Sequence, residues 1–149
     1  MTERTVMAVR VPPAQLAPQL RDAITRLNRR VRQTRPVGEL TGTQLSALTS
    51  LELAGALTPR ELADLERVQP PTMTKIVAKL EERGLVRRSP HPTDGRQVIL
   101  ALTEAGHEVF VGYERVRNEW LAQRLEALTD EERDTLTRAA EILLKVARA

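Results

Sequence analysis

From Leu57 to Thr103 the chain reads LTPRELADLERVQPPTMTKIVAKLEERGLVRRSPHPTDGRQVILALT, and the punctuation of this stretch leaves few folds open. Thr58-Pro59-Arg60-Glu61 carries a capping box with proline at the first helical position, so a short helix opens there. Leu62 and Leu65 are expected to face the core, and the chain turns through Glu66 to Gln69. Pro70 and Pro71 permit a new helix start, because the first amides of a helix have no intrahelical partner to lose. Met73, Ile76, Val77 and Leu80 then recur at i, i+3, i+4 and i+7, one buried stripe of a second helix. At about 100° per residue, Pro71, Thr72, Lys75, Ala78, Lys79 and Glu82 take the other side, with Thr74 on the flank. Gly84 supplies the left-handed residue that ends this helix.

Leu85 to Ser89 and Arg96 to Leu102 alternate as two strands, with Val98, Leu100 and Leu102 on one face. Pro90-His91-Pro92-Thr93-Asp94-Gly95 between them is turn chemistry. Helix, turn, helix and hairpin in that order make a winged helix-turn-helix. The exposed face of the second helix is small and cationic over its N-terminal half, as entry into a DNA major groove requires. Lys75, Lys79, Arg83, Arg87, Arg88 and Arg96 cluster there against Glu81, Glu82 and Asp94. A local basic surface is the footprint of phosphate binding, although a plain solvated face has the same composition.

KLEERGLVRR (Lys79 to Arg88) and DGRQVILALTEAG (Asp94 to Gly106) carry a closer likeness. With its Asp-x-Arg wing signature and the Thr-x-Ala-Gly helix start, the segment resembles the DNA-binding core of the MarR (multiple antibiotic resistance regulator) family of bacterial transcription regulators. The likeness extends over the chain from roughly Pro13 onward and leaves the first dozen residues outside. It implies a mainly α fold with a small β-hairpin wing and N- and C-terminal dimerisation helices. It also implies a cytoplasmic homodimer that binds a pseudo-palindromic double-stranded DNA operator, as a repressor relieved by a small ligand.

On this reading Pro71, Thr72, Thr74, Lys75 and Lys79 form the recognition-helix contacts. Lysine and hydroxyl groups can donate to purine acceptors, and Pro71 can lie against a thymine methyl. In the wing, Arg96 is expected in a narrow minor groove, with Asp94 orienting its guanidinium by a charged hydrogen bond. The alternative is a plain surface ion pair worth about 0–1 kcal/mol. Arg87, Arg88 and His91 read as phosphate contacts or solvated charges. The family's wing often carries more basic residues than this one, where Gly95 stands between Asp94 and Arg96.

The flanks divide the chain further. Residues 1–12 read as a flexible arm, 13–35 as a dimerisation helix, 41–103 as the winged helix, and 104–149 as C-terminal linker and dimerisation helices. In the first helix Leu16, Leu20, Ile24, Leu27 and Val31 step by three and four, Arg21, Arg26, Arg29, Arg30, Arg32 and Arg35 stud it, and Pro18 either starts or bends it. Pro36-Val37-Gly38 breaks it. Thr41-Gly42-Thr43-Gln44 opens the next helix with a capping box, and Leu45, Leu48, Leu51 and Leu53 are expected inside before Gly55. Thr103 caps a long helix through about Leu128, in which Gly106 and Gly112 each weaken it by roughly 1 kcal/mol relative to Ala if exposed. Thr129-Asp130-Glu131-Glu132 is a third capping box. It starts a last helix whose Leu136, Ala139, Ala140, Leu143, Leu144 and Val146 form an apolar seam.

The first and last helices thus carry stripes longer than a compact winged helix can bury. A two-fold dimer, with Leu16, Leu20, Ile24, Leu136, Leu143 and Leu144 in its seam, is the economical solution. Phe110, Tyr113 and Trp120, the only aromatics, fall on the helix after the wing and share a face with Arg117. In the family, a pocket in this region binds phenolic or other anionic aromatic compounds. That makes Tyr113, Arg117 and Trp120 ligand candidates, with packing against the first helix or a partner as the alternative.

Several chemistries lack residues. The chain has no cysteine, which removes disulfides, thiolate catalysis and thiol-based oxidant sensing. His91 and His107 are alone and lack ligand spacing, so neither metal nor other cofactor is expected. No phosphate-binding glycine loop, catalytic carboxylate pair or nucleophile–histidine pair appears, so no enzyme activity is expected. No stretch reads as a signal peptide or a membrane span, and no membrane partner is expected. Two alternatives stand beside the ligand-relieved repressor. A DNA-binding protein without effector, constitutive or architectural, would show little sequence preference in the architectural case. A winged-helix protein-interaction module would tolerate loss of Lys75 and Arg96.

Overall fold

The computed structural model describes residues 10–34 and 40–149. They fall into two units that divide after Gln33. The first holds α1 (Pro13–Gln33), which starts at Pro13 and continues through Pro18. The amides of Gln15 and Leu16 both donate to the Pro12 carbonyl, which anchors the first turn upstream of that proline. The expected arm over residues 1–12, apart from Arg10 to Pro12, and the break at Pro36-Val37-Gly38 lie outside the described residues.

The second unit runs α2 (Gly42–Ala54), α3 (Pro59–Glu66), α4 (Pro70–Glu82), β1 (Val86–Pro90), β2 (Val98–Leu102), α5 (Glu104–Glu126) and α6 (Asp130–Arg148). Each of the three expected capping boxes closes in both directions, at Thr41/Gln44, Thr58/Glu61 and Thr129/Glu132. β1 and β2 pair antiparallel, from Val86 opposite Leu102 to Pro90 opposite Val98. Leu57 adds a one-residue third strand by exchanging both backbone hydrogen bonds with Leu100.

The core gathers Leu45, Leu48 and Leu51 from α2, Leu62 from α3, Met73, Val77 and Leu80 from α4, Leu85 and Val86, and Leu100. Fully burying side chains of this size contributes about 1.5–3 kcal/mol each. Two expected core leucines stand outside. Leu53 is 79% exposed, because it lies about 200° around α2 from the buried Leu51. Leu65 is 58% exposed. The short α3 turns Leu62 and Ala63 inward, and Glu66 faces α2, where its carboxylate accepts from the Ser50 hydroxyl.

The start of α5 is seated on the turn between α4 and β1. Thr103 donates its amide to the Leu85 carbonyl (3.0 Å) and its hydroxyl to the Gly84 carbonyl (2.6 Å), and it caps α5 through the Gly106 amide. Gly106 is buried against this turn, so the expectation that it merely weakens an exposed helix does not hold there. At the far end of α5, Arg133 of α6 reaches back to the Leu125 and Leu128 carbonyls (3.2 and 2.8 Å) and pairs with Asp130. One guanidinium thus takes up carbonyls at the α5 terminus and in the turn after it, and fixes the corner between the two helices.

Each amphipathic end keeps apolar side chains in the open. Leu16, Leu20, Ile24 and Leu27 of α1 are exposed, as are Leu136, Ile142, Leu144 and Val146 of α6, and Leu143 is half-buried. Among the described residues no helix is long and apolar enough to cross a membrane.

Candidate nucleic-acid interface

The interface begins where α4 begins. Pro70 and Pro71 bring no N–H, and the amides of Thr72 and Met73 both donate to the Gln69 carbonyl, at 3.0 and 3.1 Å. The start of α4 therefore offers side chains rather than free backbone donors. The Thr74 hydroxyl donates to the Pro70 carbonyl at 3.0 Å, which commits its proton and leaves a methyl and an acceptor. Pro71, Thr72 and Lys75 are exposed. Lys79 is exposed too, but its ammonium lies 3.3 Å from the Glu82 carboxylate.

The wing loop is built on His91 and Asp94. Nδ1 of His91 accepts from the amides of Thr93 (3.2 Å) and Asp94 (3.1 Å), so the ring is a cap for the turn with only Nε2 left to donate outward. Asp94 accepts the backbone amide of Arg96 at 3.1 Å. The expected carboxylate–guanidinium bond is thus replaced by a carboxylate–amide bond, an Asx-type closure of the tip. The Arg96 side chain is left exposed, and no hydrogen bond or ion pair within the described residues takes it up.

Arg87 and Arg88 part company because neighbours on a strand face opposite ways. Arg88 Nε lies 2.7 Å from Glu81 of α4, an ion pair that ties the hairpin to that helix. Arg87 lines a cleft of about 360 Å³ with Leu51, Glu52, Ala101 and His107. There His107 Nδ1 meets Glu52 at 2.6 Å. Neither glutamate pairing was legible in the sequence, since Glu81 and Arg88 are seven residues apart across a turn, and Glu52 and His107 fifty-five.

The ligand candidates on α5 sit in different surroundings. Tyr113 is 3% exposed within the winged-helix core, and its hydroxyl accepts from the Leu40 amide at 3.3 Å. Trp120 lies under the Arg124 guanidinium, 4.1 Å from the ring centroid. Arg117 pairs with Glu114 at 3.2 Å, and its Nε is buried with no partner among the described residues.

Comparison with known proteins agrees with this geometry. The sequence model of the MarR family matches residues 40–98, which hold α2 through the start of β2. The chain is 47% identical over 131 residues to an uncharacterised helix-turn-helix transcriptional regulator of Mycobacterium bovis, covering 88% of this chain and 92% of the relative. It is 34% identical over 110 residues to the transcriptional repressor MdtR of Bacillus subtilis, covering 74% and 69%. Among solved structures it is similar to that of a transcriptional regulator protein from Pseudomonas aeruginosa. The TM-score is 0.82 at 29% identity, and the match covers 91% of this chain and 95% of the other.

Proposed function

The chain belongs to the MarR family of DNA-binding transcription regulators, and from that premise we propose that it works in the cytoplasm as a homodimeric repressor of a pseudo-palindromic operator. The observation that carries the proposal is the pairing state of the cations. Lys75 at the open end of α4 and Arg96 at the wing tip are exposed and unpaired within the described residues, on the two elements that meet a duplex in a winged helix. Each copy sets α4 into a major groove, with half-sites about 34–36 Å apart, and Arg96 into the flanking minor groove. Thr72 and Lys75 donate to purine edges or phosphates, and Pro71 and the Thr74 methyl supply apolar contact. Occupancy occludes the promoter. The exposed stripes of α1 and α6 supply the two-fold seam, since monomers rarely leave contiguous apolar faces of that size uncovered.

The test is fluorescence anisotropy on the DNA upstream of the protein's own gene, against a scrambled duplex at near-physiological salt. If no preference appears there, selection from random duplexes supplies the site. A preference of about a thousandfold or more is expected. Lys75→Ala and Arg96→Ala should each weaken operator binding by about 1–3 kcal/mol, tenfold or more. Binding unchanged in both variants would favour the protein-interaction reading, and equal weak binding to every duplex the architectural one.

For relief of repression, the observation that points to a ligand is Arg117 Nε, a buried donor without an acceptor among the described residues. A small aromatic anion between α5 and the dimer seam would satisfy it. Relief requires that such a ligand bind more tightly to a dimer whose recognition helices are wrongly spaced. Arg117→Gln should then abolish release of the operator by aromatic acids while leaving operator affinity intact; unchanged release would remove Arg117 from the ligand site.

A further inference from the structure

Helix α4 ends in Glu81 and Glu82, and the stability of the helix does not explain them. Carboxylates in a last turn oppose the helix dipole, which favours cations there. The Lys79–Glu82 pair is i,i+3 with lysine N-terminal, the less favourable order, and both side chains are about two-thirds exposed (66% and 70%), where ion pairs contribute little. Arg88–Glu81 is partly exposed, at 43% and 29%. What the two carboxylates do achieve is common to both. Each holds a cation of the basic surface that faces DNA in the reading above.

We propose that Glu81 and Glu82 are specificity-determining residues that compete with DNA phosphate for Arg88 and Lys79 and so hold down binding to non-operator DNA. The proposal rests on the DNA-binding face assigned above. Non-specific binding comes from phosphate contacts alone, whereas the operator complex adds base contacts that fix its register. Once α4 is seated, particular phosphates are held beside Arg88 and Lys79 and can displace the carboxylates. On random DNA no phosphate is held in place, and the intramolecular carboxylate keeps the cation.

The experiment is a salt titration of the full-length protein by anisotropy. Wild type, Glu81→Gln and the double variant Glu81→Gln/Glu82→Gln would each be measured on the operator and on a random duplex. Glutamine keeps the shape and helix propensity of glutamate, and circular dichroism verifies the fold. Each released cation should steepen the slope of log K against log salt on the random duplex by about 0.9. A fourfold dilution of salt then separates the single variant from wild type by about 3.5-fold and the double variant by about twelvefold. The operator-to-random ratio should fall in the same order. Slopes and ratios equal to wild type, or weaker binding to random DNA in the variants, would overturn the competition while leaving the DNA-binding face intact. Failure of the wild type to bind any duplex at low salt would overturn the face itself.

Discussion

Ile24→Glu should convert the proposed homodimer to monomers and remove most of its affinity for the operator. Ile24 is 48% exposed in the middle of the α1 stripe, between Leu20 and Leu27. In a monomer the new carboxylate stays in water, whereas in the seam it is a buried charge without a partner, which opposes association strongly. Glutamate is also a good helix former, so α1 itself should persist. The core residues of the winged helix all lie beyond α1, so the second unit should melt as before. A single half-site forfeits the gain from linked binding, about 10²–10⁴ in affinity. Light scattering at micromolar protein, with anisotropy on the operator, reads both effects. A dimer that survives with operator binding unchanged would show that Ile24 is not in the seam.

Gly106→Ala should destabilise the winged helix by about 3 kcal/mol, the upper range for overpacking, and lower its melting temperature by roughly 6–12 °C. A β-carbon there would drive into the carbonyl oxygen of Leu85, standing 3.1 Å from the carbonyl carbon and 3.3 Å from Leu102 Cβ. That carbonyl cannot retreat freely, because it accepts the Thr103 amide that starts α5. In an exposed helix the same change stabilises by about 1 kcal/mol, so the sign of the effect separates close packing from propensity. Gly112→Ala, with nothing within 4 Å, is the contrast and should leave stability unchanged or raised. Thermal denaturation of the two variants side by side decides it. If Gly106→Ala melts at or above wild type, the close seating of α5 on the α4–β1 turn is wrong.

The frame of this molecule was legible because its signals are local. Thr41, Thr58 and Thr129 each sit three residues before a glutamine or glutamate, and each opens a helix as the motif requires. Met73, Val77 and Leu80 fix the inner face of α4 by period alone, and Gly84 ends it with φ of +71°. What escaped depends on neighbours distant in sequence or on a choice between equivalent partners. Leu65 has the spacing of a core residue, but the two-turn α3 is rotated toward Ser50, which the sequence does not reveal. Asp94 had both an amide and a guanidinium of Arg96 within reach, and the turn took the amide. Tyr113 reads from the sequence as either a ligand contact or a packing residue, because no local pattern says that its hydroxyl meets the Leu40 amide seventy-three residues away.

The Arg133 clasp at the α5–α6 corner sets a mechanical tolerance. Helix α6 has 19 residues, so at 1.5 Å per residue it is a lever about 28 Å long. An angular error of about 10° at the corner would displace its far end by about 5 Å, close to one helical pitch. In the two-fold assembly proposed above, both subunits would contribute such a lever, and the distance between reading heads would inherit the error of each. The acceptors gathered by one guanidinium would then act as a gauge block, setting a length across that assembly by holding an angle at its hinge.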